Sequence, residues 1–276
     1  MNGPRLSVGS RTRSFDEQAG SFDQRAGLPP SVCDSIAKEL VRLAQLRPGD
    51  VLLEVGAGTG QIGLALCWLP LRYLGFDASA AMLDVFERRR RESGRPASLI
   101  YADGNNRWPA DDGDVKAVFS SRAIHLLPIE HVVQEVFRVA SPSGATLVLG
   151  RVRREKESLR ARLRQEMHER LRQLRYAAHD AQQKEREILD ACARRGGELL
   201  EPRVVATWPV QHSAAQVLAS WREKSGLAGI DVPGEVKENV LARLAAWAKD
   251  AFGSLDAIYP AEEKYVLEGA MLPSHP

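Results

Sequence analysis

Short apolar runs alternate with amphipathic stretches through the first half of the chain. The apolar runs, near 51–55, 72–77, 97–102, 115–120 and 145–151, have strand length, and helix-patterned stretches near 60–68, 79–93 and 128–140 separate them. Strands alternating with helices imply a parallel, doubly wound α/β sheet. Ahead of them, Pro29-Pro30 opens an amphipathic helix over Ser31 to Leu46, closed by Pro48-Gly49. Gly3 to Gly20 is polar and turn-rich, which predicts disorder.

The texture changes after residue 152. Arg153 to Arg195 is almost continuously helix-forming and charged, with Leu159, Leu163, Met167, Leu171 and Leu174 at three- and four-residue steps. Such a stripe predicts one face buried against the sheet or a lid. Arg151, Arg153, Arg154, Arg160, Arg162 and Arg164 are interleaved with Glu155, Glu157, Glu166 and Glu169, the pattern of a solvated face rather than of a patch for an acidic partner. Past Gly196-Gly197, Pro202 to Val210 reads as a sixth strand. Helical stretches Ser213 to Lys224 and Gly234 to Phe252 follow, and Glu263 to Leu272 reads as the last strand. The expected organisation is an N-terminal lid segment 1–30, a core 31–152, a charged helical segment 153–200, and the last two strands in 201–276 with a helical lid insertion at 213–252. Trp208, Trp221, Trp247 and Phe252 are candidate pocket walls, although core packing is the commoner role of such aromatics.

Composition narrows the class. In 276 residues, 44% apolar and 27% charged, there is chain enough for one substantial core with an appended lid. A net charge of +2 gives no steer towards nucleic acid. No run approaches the roughly 18 uncharged apolar residues of a spanning helix, and Met1 to Ser14 lacks the apolar centre of a signal peptide. No membrane association is expected, and a cytoplasmic location is. Cys33, Cys67 and Cys192 are odd in number and far apart, which indicates idle thiols rather than a disulfide framework or a metal site.

The candidate chemistry begins at Val51-Leu-Leu-Glu-Val-Gly-Ala-Gly-Thr-Gly60, an apolar strand breaking into closely spaced glycines. Gly56, Gly58 and Gly60 can take positive φ and have no Cβ to hold a ligand away. Such strand-to-helix turns lie at the carboxyl ends of sheet strands, where open α/β folds bind ligands. Gly58-Thr-Gly60-Gln-Ile-Gly63 also fits the dinucleotide pattern. Asp77 ends the second strand 17 residues after Gly60, placed to accept ribose hydroxyls that NAD and S-adenosylmethionine share. From these residues alone both cofactor classes stay open.

Four stretches in order resemble the class I S-adenosylmethionine-dependent methyltransferases of the small-molecule type. They are Glu54-Val-Gly-Ala-Gly-Thr-Gly60, Gly75-Phe-Asp77-Ala-Ser-Ala-Ala-Met82-Leu, Tyr101-Ala-Asp103-Gly, and Asp114 to Leu127. Pro142-Ser143-Gly144 resembles that family's P-x-G turn. The resemblance runs from about Phe15 to Val152 and returns in the last strand. It implies a Rossmann-like, doubly wound seven-stranded sheet with the last strand antiparallel between the fifth and sixth, and with helical lid insertions. By position it gives Gly56, Ala57 and Gly60 the methionine end of S-adenosylmethionine, with Gly58 and Glu54 in the same loop. Asp77, with Ala78 and Met82, takes the ribose; Asp103, with Ala102 and Gly104, takes the adenine; Ser120 lines the far wall. Glu54 stands where the family frequently has Asp. Ser21-Phe-Asp-Gln-Arg25-Ala-Gly-Leu-Pro resembles its lid segment, which gives Phe22 and Arg25 a place over the cofactor.

The implied function is methyl transfer to a small-molecule or carrier-bound acceptor at oxygen, nitrogen or carbon. Methyl transfer from a sulfonium is an in-line displacement for which positioning supplies most of the acceleration. A base is needed only where the acceptor must lose a proton. His125, which the resemblance puts on the substrate side after the fourth strand, is the candidate, since imidazole titrates near neutral pH. A histidine that only hydrogen-bonds the loop is the plainer reading. His131 reads as a helix-surface residue, and His168, His179 and His212 lie in less defined surroundings. A nucleic-acid methyltransferase would carry N/D-P-P-Y/F after the fourth strand, and Ser120-Ser-Arg-Ala is not that motif. A non-methylating S-adenosylmethionine-binding protein, regulatory or using the sulfonium electrostatically, would keep the glycine loop and Asp77.

Overall fold

The computed structural model describes residues 16, 27–176, 180–224 and 226–274. Seven strands form one sheet: β1 (Val51–Val55), β2 (Arg72–Asp77), β3 (Ser98–Tyr101), β4 (Val115–Ser121), β5 (Ala145–Arg154), β6 (Glu198–His212) and β7 (Tyr259–Leu272). Their order is β3-β2-β1-β4-β5-β7-β6, with β7 antiparallel. β1 lies between β2 and β4 and pairs in parallel with both, Val55 opposite Phe76 and Glu54 opposite Phe119. A strand enclosed in this way reads as a continuous apolar run, and all five of its positions are buried, Glu54 among them. The expected strands are present, with β6 and β7 starting four residues earlier than expected.

The described residues fall into two compact units, one with those up to 151, 181–206 and from 265, the other with 152–180 and 207–264. In the first, α1 (Pro30–Leu43), α2 (Gly63–Leu66), α3 (Ala80–Ser93), α4 (Ile129–Val139) and α6 (Ala181–Arg194) accompany the sheet. α4 places Val132, Val133, Val136 and Val139 in one core cluster with Leu53, Val118 and Leu147 of the strands and Ile188, Leu189 and Cys192 of α6. Burying each such aliphatic side chain is worth about 1.5–3 kcal/mol relative to exposure. The helix expected over 60–68 is a single turn, because glycines at 60 and 63 and Pro70 leave little room for propagation.

In the second unit, α5 (Leu159–Gln173), α7 (Ala214–Arg222) and α8 (Gly234–Phe252) surround their own core. Leu159, Leu163, Met167 and Leu171 meet Val217, Leu218 and Trp221 and Val240, Leu241 and Leu244 there. A capping box at Ser213 and Gln216 starts α7. The charged stretch expected as one segment, 153–200, is therefore divided: α5 belongs to the helical unit and α6 to the sheet unit. Leu174 lies past the end of α5 and is 45% exposed, so the apolar stripe ends one position earlier than its spacing predicts, at Leu171. Trp221, Trp247 and Phe252 are core aromatics of the helical unit, with Trp247 and Phe252 edge-to-face at 5.6 Å. Among the described residues no helix is long and apolar enough to cross a membrane.

Candidate functional site

The three loop glycines serve three different purposes. All have positive φ. A Cβ on Gly56 would lie 2.1 Å from Ala123 Cβ, and one on Gly60 2.1 Å from the Phe86 ring, so these two let the β4 loop and α3 close on the strand. A Cβ on Gly58 would meet nothing within 4 Å. Gly58 therefore has no packing reason to be glycine, and it lines a cleft.

That cleft, about 950 Å³ with the open solvent in its mouth counted in, lies at the carboxyl ends of β1, β2 and β4. Glu54 of β1 and Gly56, Ala57 and Gly58 of the loop after it border it, as do Asp77 at the end of β2, Ala78 and Met82 of α3. Gly104 borders it beyond β3. After β4 it is lined by Ser121, Arg122, Ala123, Leu126 and Leu127.

Asp77 is fixed by backbone. Its Oδ2 accepts from Gly58 N and its Oδ1 from Ser79 N, both at 2.9 Å. Burial raises the pKa of the carboxyl above the ordinary value against these hydrogen bonds, which lower it. Ser79 caps α3, accepting from Met82 N, and its hydroxyl donates to Asp16 Oδ1 at 2.5 Å. One strand over, Glu54 is 3% exposed and accepts from the Tyr73 hydroxyl. Burial pushes its pKa up to about 8, with the Tyr73 hydrogen bond opposing.

The far wall is offset by one residue from expectation. Ser120 is buried; its hydroxyl donates to Val55 O at 2.8 Å and accepts from Ile124 N at 3.2 Å, tying β4 to β1 and to the following 3-10 turn, Ile124–Leu126. Side chains alternate along a strand, and it is Ser121 that borders the cleft, its hydroxyl accepting from Tyr265 at 2.7 Å. Ala102, Asp103 and Gly60 also lie outside the lining. Asp103 Oδ1 is engaged by Asn105 N and Nδ2 at 2.9 and 2.7 Å, closing its own turn. Gly104 does line the cleft, and Trp108 Nε1 donates to its carbonyl at 3.0 Å while Glu135, paired to Arg138, accepts from Trp108 N. Arg25 and Phe22 lie outside the described residues.

His125 is on the 3-10 turn between lining residues Ala123 and Leu126 but is not itself in the lining. Its Nδ1 is buried without a hydrogen-bond partner, 3.7 Å from Glu185 Oε1. Sequence reasoning missed Thr59, Gln61, Ile62 and Ser121 to Ala123. The position of Ser121 to Ala123 just past a strand end was the available signal.

The residues fit a cation-bearing nucleoside better than a dinucleotide. Two carboxylates border the cleft and Arg122 is its only cationic side chain among the described residues. A pyrophosphate is held at the N-terminus of a helix, and here the loop is followed by a single helical turn of four residues. The inserted antiparallel β7 also departs from the 3-2-1-4-5-6 order of dinucleotide folds. Fold and cleft together define a Rossmann-like nucleoside-cofactor domain.

Residues 52–144 match the family described as the methyltransferase domain, about a third of the chain. A stretch of 144 residues is 28% identical to the protein-L-isoaspartate O-methyltransferase of Methylorubrum extorquens, covering 48% of this chain and 63% of that one. Another, of 136 residues, is 28% identical to the malonyl-[acyl-carrier protein] O-methyltransferase of Serratia marcescens, covering 49% of each. The chain thus spans between half and two thirds of the length of these relatives. The YcgJ protein of Bacillus subtilis shares the fold at 17% identity, with a TM-score of 0.54 over 86% of this chain and 97% of that one. The matched stretch, residues 52–144, is similar to the class I S-adenosylmethionine-dependent methyltransferases, and S-adenosylmethionine is the cofactor that this likeness implies.

Proposed function

We propose that the protein transfers the methyl group of S-adenosylmethionine to a small-molecule or carrier-bound acceptor, at oxygen, nitrogen or carbon. The carrying observation is the cleft itself: Gly58, with nothing within 4 Å of a Cβ, borders it beside Asp77, whose carboxylate is locked by Gly58 N and Ser79 N. Asp77, with Ala78 and Met82, holds the ribose in this reading, Gly56 to Gly58 and Glu54 the methionine end, and Gly104 the adenine side. Arg25, Gly60, Ala102, Asp103 and Ser120 keep supporting or unassigned places. The bound sulfonium supplies an electrophilic methyl group. The chain's own contribution is to bind, to orient, and, where the acceptor carries a proton, to accept it at His125. A carrier-bound acceptor draws support from the relative named for a malonyl-carrier substrate. A cytoplasmic location belongs to the same reading. The alternative, a protein that binds S-adenosylmethionine without methylating, predicts no demethylated product. Incubation with labelled donor and a panel of hydroxyl, amine, activated-carbon and carrier-bound acceptors tests both: acceptor-dependent release of S-adenosylhomocysteine supports transfer, and its absence across the panel, with the donor bound, supports the alternative.

A further inference from the structure

α6 carries a buried charge where its period calls for an apolar side chain. Glu185, Ile188, Leu189 and Cys192 are its buried residues, at helical steps of three and four, and Glu185 is 4% exposed. A carboxylate there costs several kcal/mol in desolvation unless both oxygens find partners. Oε2 has one, Arg151 Nη1 at 2.7 Å, and Nη2 of the same guanidinium engages Glu268 on β7. Oε1 faces His125 Nδ1 at 3.7 Å, within ion-pair range but longer than a hydrogen bond. Nδ1 is in turn buried with no hydrogen-bond partner. A buried ring nitrogen without a hydrogen-bond partner thus faces the carboxylate of a buried residue, and α6 packs directly on the 3-10 turn that carries His125. Catalytic hydrogen bonds are often long before the ligands are bound.

We propose that Glu185 is the positioning residue for His125, holding a proton on Nδ1 so that Nε2 is left as the basic atom. The proposal rests on the reading of His125 as the acceptor-side base. The proton of an acceptor O–H or N–H passes to Nε2. The electron pair left on the heteroatom forms the new bond to the methyl carbon, and the carbon–sulfur bond breaks with its pair on sulfur. The resulting imidazolium is steadied by Glu185 at Nδ1 until Nε2 returns its proton to solvent. Arg151 is the anchor that fixes which oxygen of Glu185 is free. This gives α6, which lies outside the matched residues 52–144, a part in the site.

The tautomer of His125 is the readout, because it needs no acceptor and a merely structural Glu185–Arg151 pair would not set it. Full-length protein labelled with ¹⁵N-histidine, with the His125 signals assigned by their loss in His125→Ala, is expected to show neutral His125 as the Nδ1–H form. In Glu185→Gln, Arg151 keeps the amide oxygen and turns the amide NH₂ towards Nδ1, which must then accept. The tautomer inverts to Nε2–H, and kcat falls about 10²-fold while KM for S-adenosylmethionine holds. An Nε2–H tautomer in the unmodified protein overturns the proposal without any variant, and so does an unchanged tautomer in a folded Glu185→Gln. Inversion in a protein that methylates no acceptor sinks the functional reading while leaving the pairing intact.

Discussion

The Tyr73 hydroxyl donates a 2.5 Å hydrogen bond to Glu54 Oε2, joining β2 to β1 in the interior of the sheet unit, where both side chains are at most 5% exposed. Burial pushes the Glu54 pKa from 4.5 to about 8, so the carboxyl is neutral at pH 7. A carboxyl whose folded-state pKa is raised contributes stability that is full below about 4.5 and is lost as pH rises through about 8. With a unit worth about 1.4 kcal/mol, the loss across that window is a few kcal/mol. Asp77, also raised by burial, adds in the same sense. Glu54→Gln, which cannot ionise, is expected to lose less stability than the unmodified protein between pH 5 and 8.5, by denaturant midpoints. Parallel pH profiles would mean that Glu54 ionises normally.

A cation bound beside Glu54 and Asp77 favours their ionised forms. Binding of S-adenosylmethionine near pH 7 is therefore expected to expel protons, and S-adenosylhomocysteine, without the sulfonium charge, to expel fewer. Calorimetry in two buffers of different ionisation enthalpy measures the count. Equal release by the two ligands would remove the sulfonium from the neighbourhood of these carboxyls.

Gly58 and Gly60 separate binding from folding. Gly60→Ala drives a Cβ to 2.1 Å from the Phe86 ring at a φ of +76°, so overpacking and strain together should cost about 2–4 kcal/mol of stability. Gly58→Ala meets no atom and pays only for its left-handed backbone, about 1 kcal/mol. Its Cβ borders the cleft, so it is expected to weaken S-adenosylmethionine binding at least tenfold in a folded protein. Thermal melts and calorimetry on the pair check this, and the reverse pattern would show that the cleft is not where the ligand lies.

The first five strands were legible because each has a short apolar run bounded by glycine, proline or charge, as Val51 to Val55 is, whereas β6 and β7 run longer than their apolar centres. That Asp77 and Gly58 border the cleft was legible because they stand at the carboxyl ends of parallel strands, where open α/β folds bind ligands. Ser120 against Ser121 was not: a strand period of two makes a one-residue shift change the face, and only the pairing of β4 with β1 fixes the register. Gly60 packs on Phe86 and lies outside the lining, which its residue type could not show, since the same glycine signal serves both ligand approach and helix packing. Glu185 was invisible among the charges of 153–195, because its burial is decided by Arg151 and His125, which are distant in sequence. The division of that stretch between two units depends on which core each apolar stripe meets, and periodicity is silent on that.

Asp77→Ala removes the acceptor for Gly58 N and Ser79 N as well as the group proposed to hold the ribose. Loss of charge-assisted hydrogen bonds to a ligand costs about 1.5–3 kcal/mol, so the Kd for S-adenosylmethionine should rise by one to two orders of magnitude. Asp77→Asn keeps shape and at most one of the backbone contacts, and is expected to fall between. Unchanged affinity in a folded Asp77→Ala would withdraw this residue from the cofactor site.

His125 should matter for turnover and not for the donor. It stands outside the cleft lining, on a turn whose neighbours Ala123 and Leu126 are in it. Removing its side chain therefore leaves the donor's surroundings intact. If it takes the acceptor's proton, His125→Ala lowers kcat by about 10²-fold or more with little change in donor affinity. His125→Gln keeps a hydrogen-bonding group but cannot accept the proton in that step. Activity restored in the Gln variant would make His125 a group that orients the acceptor and leaves its proton to solvent. Full activity in His125→Ala would exclude both roles and leave catalysis to proximity alone. A kcat lost in both variants, with donor affinity held, is the outcome expected of the base.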